Sequence, residues 1–442
     1  MPRRSLLPLL AAALLVAALP VRAQLRLPGG LGGTTNNLPS VIQTPPLSAP
    51  RLPELRPDGT PLQGLRQRLV RELLRDAAAQ VEADPAGEPV VRGELIVIAP
   101  TPALLATAQA QGFRVLRARR LEALDLDSVV LAPPAGLGTS EGLARLRQID
   151  PAVEVDYQHL YTRSGESTRA AAPPPVVAAA SAARRVGLID GGIDRTHPSL
   201  RTASLQAWGC DGATVPSEHG TAVASLLVGR DAAFVGVLAP GAHLHAADVY
   251  CGRATGGSVE ALAQALAWLA QERVAVINIS LVGPPNRMLE RAVRAATARG
   301  HLIVAAVGND GPSAPPLYPA AYPEVVGVTG VAPSRRVLPE ALRGPQVAFA
   351  APGAELAVAQ SGAAGYAVAR GTSFAAPLVA GLLAEHLPMP DPLAAREALA
   401  RLSRQAADLG ARGRDEVYGW GLVAEQARNR PERVQAMWRT TP

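Results

Sequence analysis

Residues 186–198 read VGLIDGGIDRTHP, and this stretch decides the fold. Val186 to Ile189 form a short apolar run of the kind buried on both faces of a parallel sheet. Asp190 closes the run, and Gly191 and Gly192 let the chain turn sharply at the carboxyl edge, where α/β proteins place their sites. Further apolar runs at Leu244–Val249, Val274–Ile279, Leu302–Ala306 and Val325–Val328 alternate with helical stretches. That alternation predicts an α/β fold, a parallel sheet with helices on both faces. An Asp-Gly pair after a strand is by itself an ordinary turn.

Two more motifs follow. EHGTAVASLLVG (218–229) sets His219 before a helix whose early residues Gly220, Thr221, Ala222 and Ala224 are small enough to pack close to the sheet. RGTSFAAPLVAG (370–381) sets Ser373 at the opening of a helix, where backbone N–H groups lack intrahelical acceptors. Each has a plain structural explanation, the histidine as a packed residue and the serine as an N-cap. Taken together, in the order Asp, His, Ser, the three motifs resemble the subtilisin family of serine peptidases. VAAVGNDG (304–311) resembles the family segment that carries the oxyanion-hole asparagine, here Asn309, and residues 398–423 resemble the end of its catalytic domain.

The resemblance implies a subtilisin-like fold and peptide-bond hydrolysis through an acyl-enzyme. Ser373 would attack, His219 would carry its proton, Asp190 would hold the imidazole, and Asn309 would stabilise the oxyanion. INISLVGP (277–284) is similar to the strand that pairs with an extended polypeptide substrate, through Ser280, Leu281, Val282 and Gly283. Ala305, Ala306, Val307 and Gly308 would line the primary specificity pocket. No organic cofactor is implied. Calcium often stabilises such relatives, but no carboxylate cluster in the sequence places one. His243 and His245 share a strand face, yet two ligands make an incomplete metal site, so the metal expectation is none. An imidazole base implies activity that rises from acidic to neutral and alkaline pH. Phe374 and Asp248 stand where other residues are commoner in the family, which bears on substrate preference.

Upstream, apolar residues at helical spacing predict one amphipathic helix from Leu65 to Ala83, within a 24–90 region that begins as a Pro/Gly-rich linker. Residues 91–161 read strand, helix, strand, strand, helix, strand, the pattern of a small α+β ferredoxin-like module. That module is similar to the family's prodomain, an intramolecular inhibitor removed by self-processing somewhere from Tyr161 onward. Residues 162–183 read as a linker, 184–429 as the peptidase domain and 430–442 as a tail.

Residues 1–23 carry a positive start, a short apolar run and small residues before a plausible cut, the pattern of a signal peptide. Export implies a secreted or periplasmic protein, and a disulfide between Cys210 and Cys251. The basic groups are all arginine and scattered, and a net charge of +6 over 442 residues gives no nucleic-acid surface. No later segment has the length of a membrane span. A catalytically silent binding protein of the same fold would lack one of the motif residues, and none is missing. An α/β-hydrolase would need a G-x-S-x-G elbow and another residue order.

Overall fold

A computed structural model describes residues 64–169, 184–213, 215–232, 234–363, 365–432 and 434. The stretches read as a signal peptide and as the first linker, and residues 170–183 of the second, lie outside them. Within this range the chain opens with helix α1 (Leu65–Asp76), then β1 (Val81–Ala83), β2 (Pro89–Ile98), α2 (Pro102–Ala110), β3 (Arg114–Leu121), β4 (Leu126–Ala132), α3 (Thr139–Ile149) and β5 (Glu154–His159). The four long strands lie in the order β5-β2-β4-β3, antiparallel throughout. This is the ferredoxin-like arrangement.

Strand β2 shows why the module docks where it does. Leu95 and Val97 face α2 and α3 in one buried cluster, whereas Ile96 and Ile98 join a second cluster with residues of the following domain. Period-two alternation therefore gives the sheet two apolar faces, one internal and one for docking.

Helix α1 is shorter than its periodicity suggested. It ends at Asp76, where the Ala77 N–H bonds back to the Leu73 carbonyl, and Val81–Ala83 pair antiparallel with Pro89–Val91 instead. Val81 is fully buried by that pairing. Pairing along the sheet edge outweighs continuation of the helix.

The stretch read as a second linker also begins with structure. Strands β6 (Thr162–Arg163) and β7 (Glu166–Arg169) precede the main domain. That domain runs β8 (Arg185–Asp190), β9 (Ser204–Trp208), α4 (Glu218–Val228), β10 (His243–Asp248), α5 (Val259–Gln271), β11 (Val276–Ile279), β12 (Leu281–Val282), α6 (Arg287–Ala298), β13 (Leu302–Ala306), β14 (Val326–Val331), β15 (Val347–Pro352), β16 (Ala354–Ala359), β17 (Tyr366–Arg370), α7 (Thr372–His386) and α8 (Pro392–Gln405). β6 pairs with β12, and β7 with β17, both antiparallel.

Seven strands form one parallel sheet in the order β15-β14-β13-β11-β8-β10-β9. One face is packed by α4, α7 and α8 and the other by α5 and α6, giving two apolar cores. The docking face of the upstream module packs into the second core, beside α5 and α6. The apolar run Val186–Ile189 is thus an interior strand of the sheet, between β11 and β10, and Asp190 sits at its carboxyl end.

Candidate functional site

Asp190 ends β8 beside the register partner Asp248 of β10, and both aspartates are buried. The Gly191 N–H holds one Asp190 oxygen at 2.7 Å. His219 is the second residue of α4 rather than a residue ahead of it. Ser217 caps that helix by accepting from the Gly220 N–H, and a Cβ on Gly220 would overlap the Gly191 carbonyl, so the helix approaches the strand end closely.

Three residues remote in sequence meet here. His219 Nδ1 lies 2.9 and 3.0 Å from the two carboxylate oxygens of Asp190, and His219 Nε2 lies 3.1 Å from Ser373 Oγ. All three are buried, and the Phe374 ring stands 5.4 Å from the imidazole. A carboxylate, an imidazole and a hydroxyl in a line let the hydroxyl pass its proton to the imidazole while the carboxylate holds the ring's orientation and stabilises the cation.

Helix α7 is built around its serine. Pro377, inside the helix, cannot donate to the Ser373 carbonyl four residues earlier. Ser280 Oγ donates to that carbonyl instead, at 2.9 Å, and Asn278 Nδ2 in turn donates to Ser280 Oγ at 2.9 Å. Ser280, expected to bind substrate, therefore has its hydroxyl committed to positioning α7.

Asn309 Oδ1 accepts from the Thr372 N–H at 3.2 Å, and its Nδ2 donates to the Ser164 carbonyl. The amide is thereby turned toward the chain's own segment, which lies across the site. Thr162 and Arg163 pair with Val282 and Leu281, and the Tyr161 N–H donates to the Gly257 carbonyl at 2.8 Å. Leu281, Val282 and Gly283 are therefore beside an extended strand, while Ala305, Ala306, Val307 and Gly308 form the buried end of β13 and the turn after it. The Gly308 N–H bonds Thr372 Oγ1 at 3.1 Å, tying that turn to α7.

A cavity of about 350 Å³ opens beside the strand, between Leu69 and Leu73 of α1, Tyr161–Arg163, Asp190 and His219. Helix α1 thus stands over the cleft. Arg66 ion-pairs with Glu88 and lies 3.5 Å from Asp310, the residue after Asn309. Burial raises the Asp310 carboxyl and the Arg66 guanidinium opposes that rise. Sequence reasoning missed both the α1 contact and the pairing of β6 across the cleft. The compact Tyr-Thr-Arg-Ser-Gly run ahead of the Ala/Pro-rich stretch was their only trace.

Cys210 and Cys251 form a disulfide with Cα atoms 5.2 Å apart. Among the described residues these sulfurs and Asp248 make up the only group with metal-ligand proximity, and the disulfide consumes both thiolates. Asp248 Oδ1 accepts from the Tyr250 and Cys251 N–H groups, at 2.9 and 3.0 Å, and burial raises this carboxyl. The His243 and His245 rings pack edge to face at 4.6 Å, and His197 Nε2 meets the Gly365 carbonyl at 2.8 Å. No described helix is long and apolar enough to cross a membrane.

The family model described as "Subtilase family" matches residues 182–421. The chain is 34% identical over 260 residues to Subtilisin Savinase of Lederbergia lenta, covering 56% of this chain and 90% of that protein. It is 32% identical over 212 residues to Minor extracellular protease Epr of Bacillus subtilis (strain 168), covering 47% of this chain and 32% of that one. Fervidolysin from Fervidobacterium pennivorans, described as a keratinolytic enzyme related to subtilisin, aligns with a TM-score of 0.61 at 20% identity. That likeness of fold covers 82% of this chain and 63% of the other, and so reaches well upstream of residue 182.

Proposed function

Because the chain belongs to the subtilase family of serine endopeptidases, we propose that it cuts peptide bonds through Asp190, His219 and Ser373, is exported, and is made as a zymogen held by residues 64–165. The observation that carries this is the buried relay from the Asp190 carboxylate through both nitrogens of His219 to Ser373 Oγ.

In this mechanism Ser373 Oγ attacks the carbonyl carbon of the substrate as His219 Nε2 takes its proton. Asp190 keeps Nδ1 protonated and stabilises the cation that forms. The Asn309 amide faces the carbonyl oxygen, where charge develops, so its donation gains strength on the way to the tetrahedral intermediate. The leaving amine takes the proton from His219, and water resolves the ester by the reverse path.

The zymogen assignment is supported by the segment 160–165, whose strand β6 pairs with β12 in the place of an extended substrate, and by the module docked on α5 and α6. Main-chain pairing of this kind holds any extended sequence, with side-chain pockets adding choice. Ser280 acts on α7, and Leu281–Gly283 with Ala305–Gly308 hold the peptide. The test compares the wild-type chain with Ser373→Ala for self-cleavage and casein hydrolysis. Both activities are expected in the wild type and neither in the variant; equal behaviour of the two would overturn the proposal.

A further inference from the structure

The segment across the cleft is held in a single register by contacts on both sides. Leu160 bridges Ser258, Tyr161 bonds Gly257, and Thr162–Arg163 pair with β12. The next carbonyl, that of Ser164, accepts from Asn309 Nδ2. The next residue, Gly165, lies against the nucleophile, because a Cβ there would overlap Ser373 Oγ and come within 2.7 Å of the Phe374 ring. The peptide bond facing Ser373 is therefore Ser164–Gly165.

Side chains are read at both ends of this register. Tyr161 is 1% exposed, and its hydroxyl donates to the Pro284 carbonyl at 2.7 Å. Its ring lies on Gly283, where a Cβ would come within 2.6–2.9 Å of three ring atoms, so the absence of a side chain at 283 makes the space for an aromatic. At the other end, Ser164 is buried, and its Oγ has no partner among the described residues. The turn at Gly308 is closed off by buried Leu317, whose Cδ1 lies 2.6 Å from a Cβ placed on Gly308, with Leu342 at 3.4 Å. Ser164 is itself 4% exposed, so this register encloses an acyl side chain of serine size.

We infer that the bond cut first is Ser164–Gly165, and that the enzyme selects extended peptides with tyrosine three residues before a small acyl residue and glycine after the bond. This rests on Ser373 acting as the nucleophile. The Ser373 Oγ–carbon bond forms at Ser164, the bond from that carbon to the Gly165 nitrogen breaks, and the Ser373 proton passes through His219 to Gly165. One water then gives its hydroxyl to Ser164 and its proton back to Ser373. A peptide with phenylalanine in place of tyrosine leaves the Pro284 carbonyl unpaired in a dry pocket, a loss of about tenfold in kcat/KM.

The test follows the first products of the full-length chain by mass spectrometry, then measures kcat/KM of the processed enzyme on YTRSGE and on its Phe and Ala analogues at the first position. Expected are fragments ending at Ser164 and beginning at Gly165, a block of that cut by Gly165→Val, and rates in the order Tyr, Phe, Ala. Leu317→Ala is expected to raise kcat/KM for YTRFGE relative to YTRSGE. A first cut at another bond, or equal rates for the three peptides, overturns the inference. Fluorophosphonate labelling of the same samples separates the two levels. Label on Ser373 with a cut elsewhere rejects the register alone, and no label rejects the nucleophile as well.

Discussion

Asp190 meets His219 Nδ1 with both carboxylate oxygens, at 2.9 and 3.0 Å. An acceptor on both sides of that N–H leaves one tautomer, with the lone pair of Nε2 aimed at Ser373. Asp190→Asn would offer a donor to the same nitrogen and reverse the tautomer. The expected result is a fall in kcat of about 10⁴-fold with folding intact. Peptide hydrolysis and circular dichroism on the variant, matured by added wild-type enzyme, check this together.

Ser280→Ala would strip the Ser373 carbonyl of its donor while Pro377 still withholds the usual one. A buried carbonyl left unpaired costs about 1–3 kcal/mol. The variant is expected to unfold at lower urea and to lose kcat more than KM, because α7 sets the position of Ser373. A rise in KM with unchanged kcat would return Ser280 to a substrate-binding role.

Arg66 ties the helix over the cleft to the loop behind Asn309. In a Ser373→Ala chain, which stays uncut, Arg66→Ala leaves the Asp310 carboxylate, its side chain 6% exposed, without its cation. The expected loss is about 3 kcal/mol by urea unfolding. Adding Asp310→Asn should recover a large part of it, as a double-mutant cycle would record.

Stability should also fall in mild acid. Burial, aided by His243 and Arg185, lowers His245 from its ordinary 6.5 to about 4, and burial lowers His197 and His301 in the same direction. A histidine whose folded value lies below its unfolded value favours the folded state when neutral. This stabilisation is complete above about pH 6.5 and is lost as the pH falls toward 4. Thermal unfolding between pH 7 and pH 4 checks it, with His245→Gln expected to flatten the curve.

The sheet and the meeting of three motifs were legible because each is local chemistry. Apolar runs end at Asp190, small residues follow His219, and Gly371 precedes the helix of Ser373. The module was legible too, since Leu126–Ala132 and Thr139–Ile149 carry their own periodicity. Pairing of β7 with β17 was not, because its partner lies some two hundred residues away and neither strand has a strong pattern of its own. The fate of Ser280 depended on a missing N–H at Pro377, a relation visible only once the two elements touch. Arg66 and Leu317 gained their places through tertiary burial, which composition does not encode.

The most direct test of the account is to label the processed enzyme with a fluorophosphonate, digest it at arginine, and find the adduct by mass spectrometry. The account predicts one adduct, on Ser373 within the peptide from Gly371 to Arg396, absent after His219→Ala. An unlabelled protein that still hydrolyses casein, or an adduct on another serine, would contradict it.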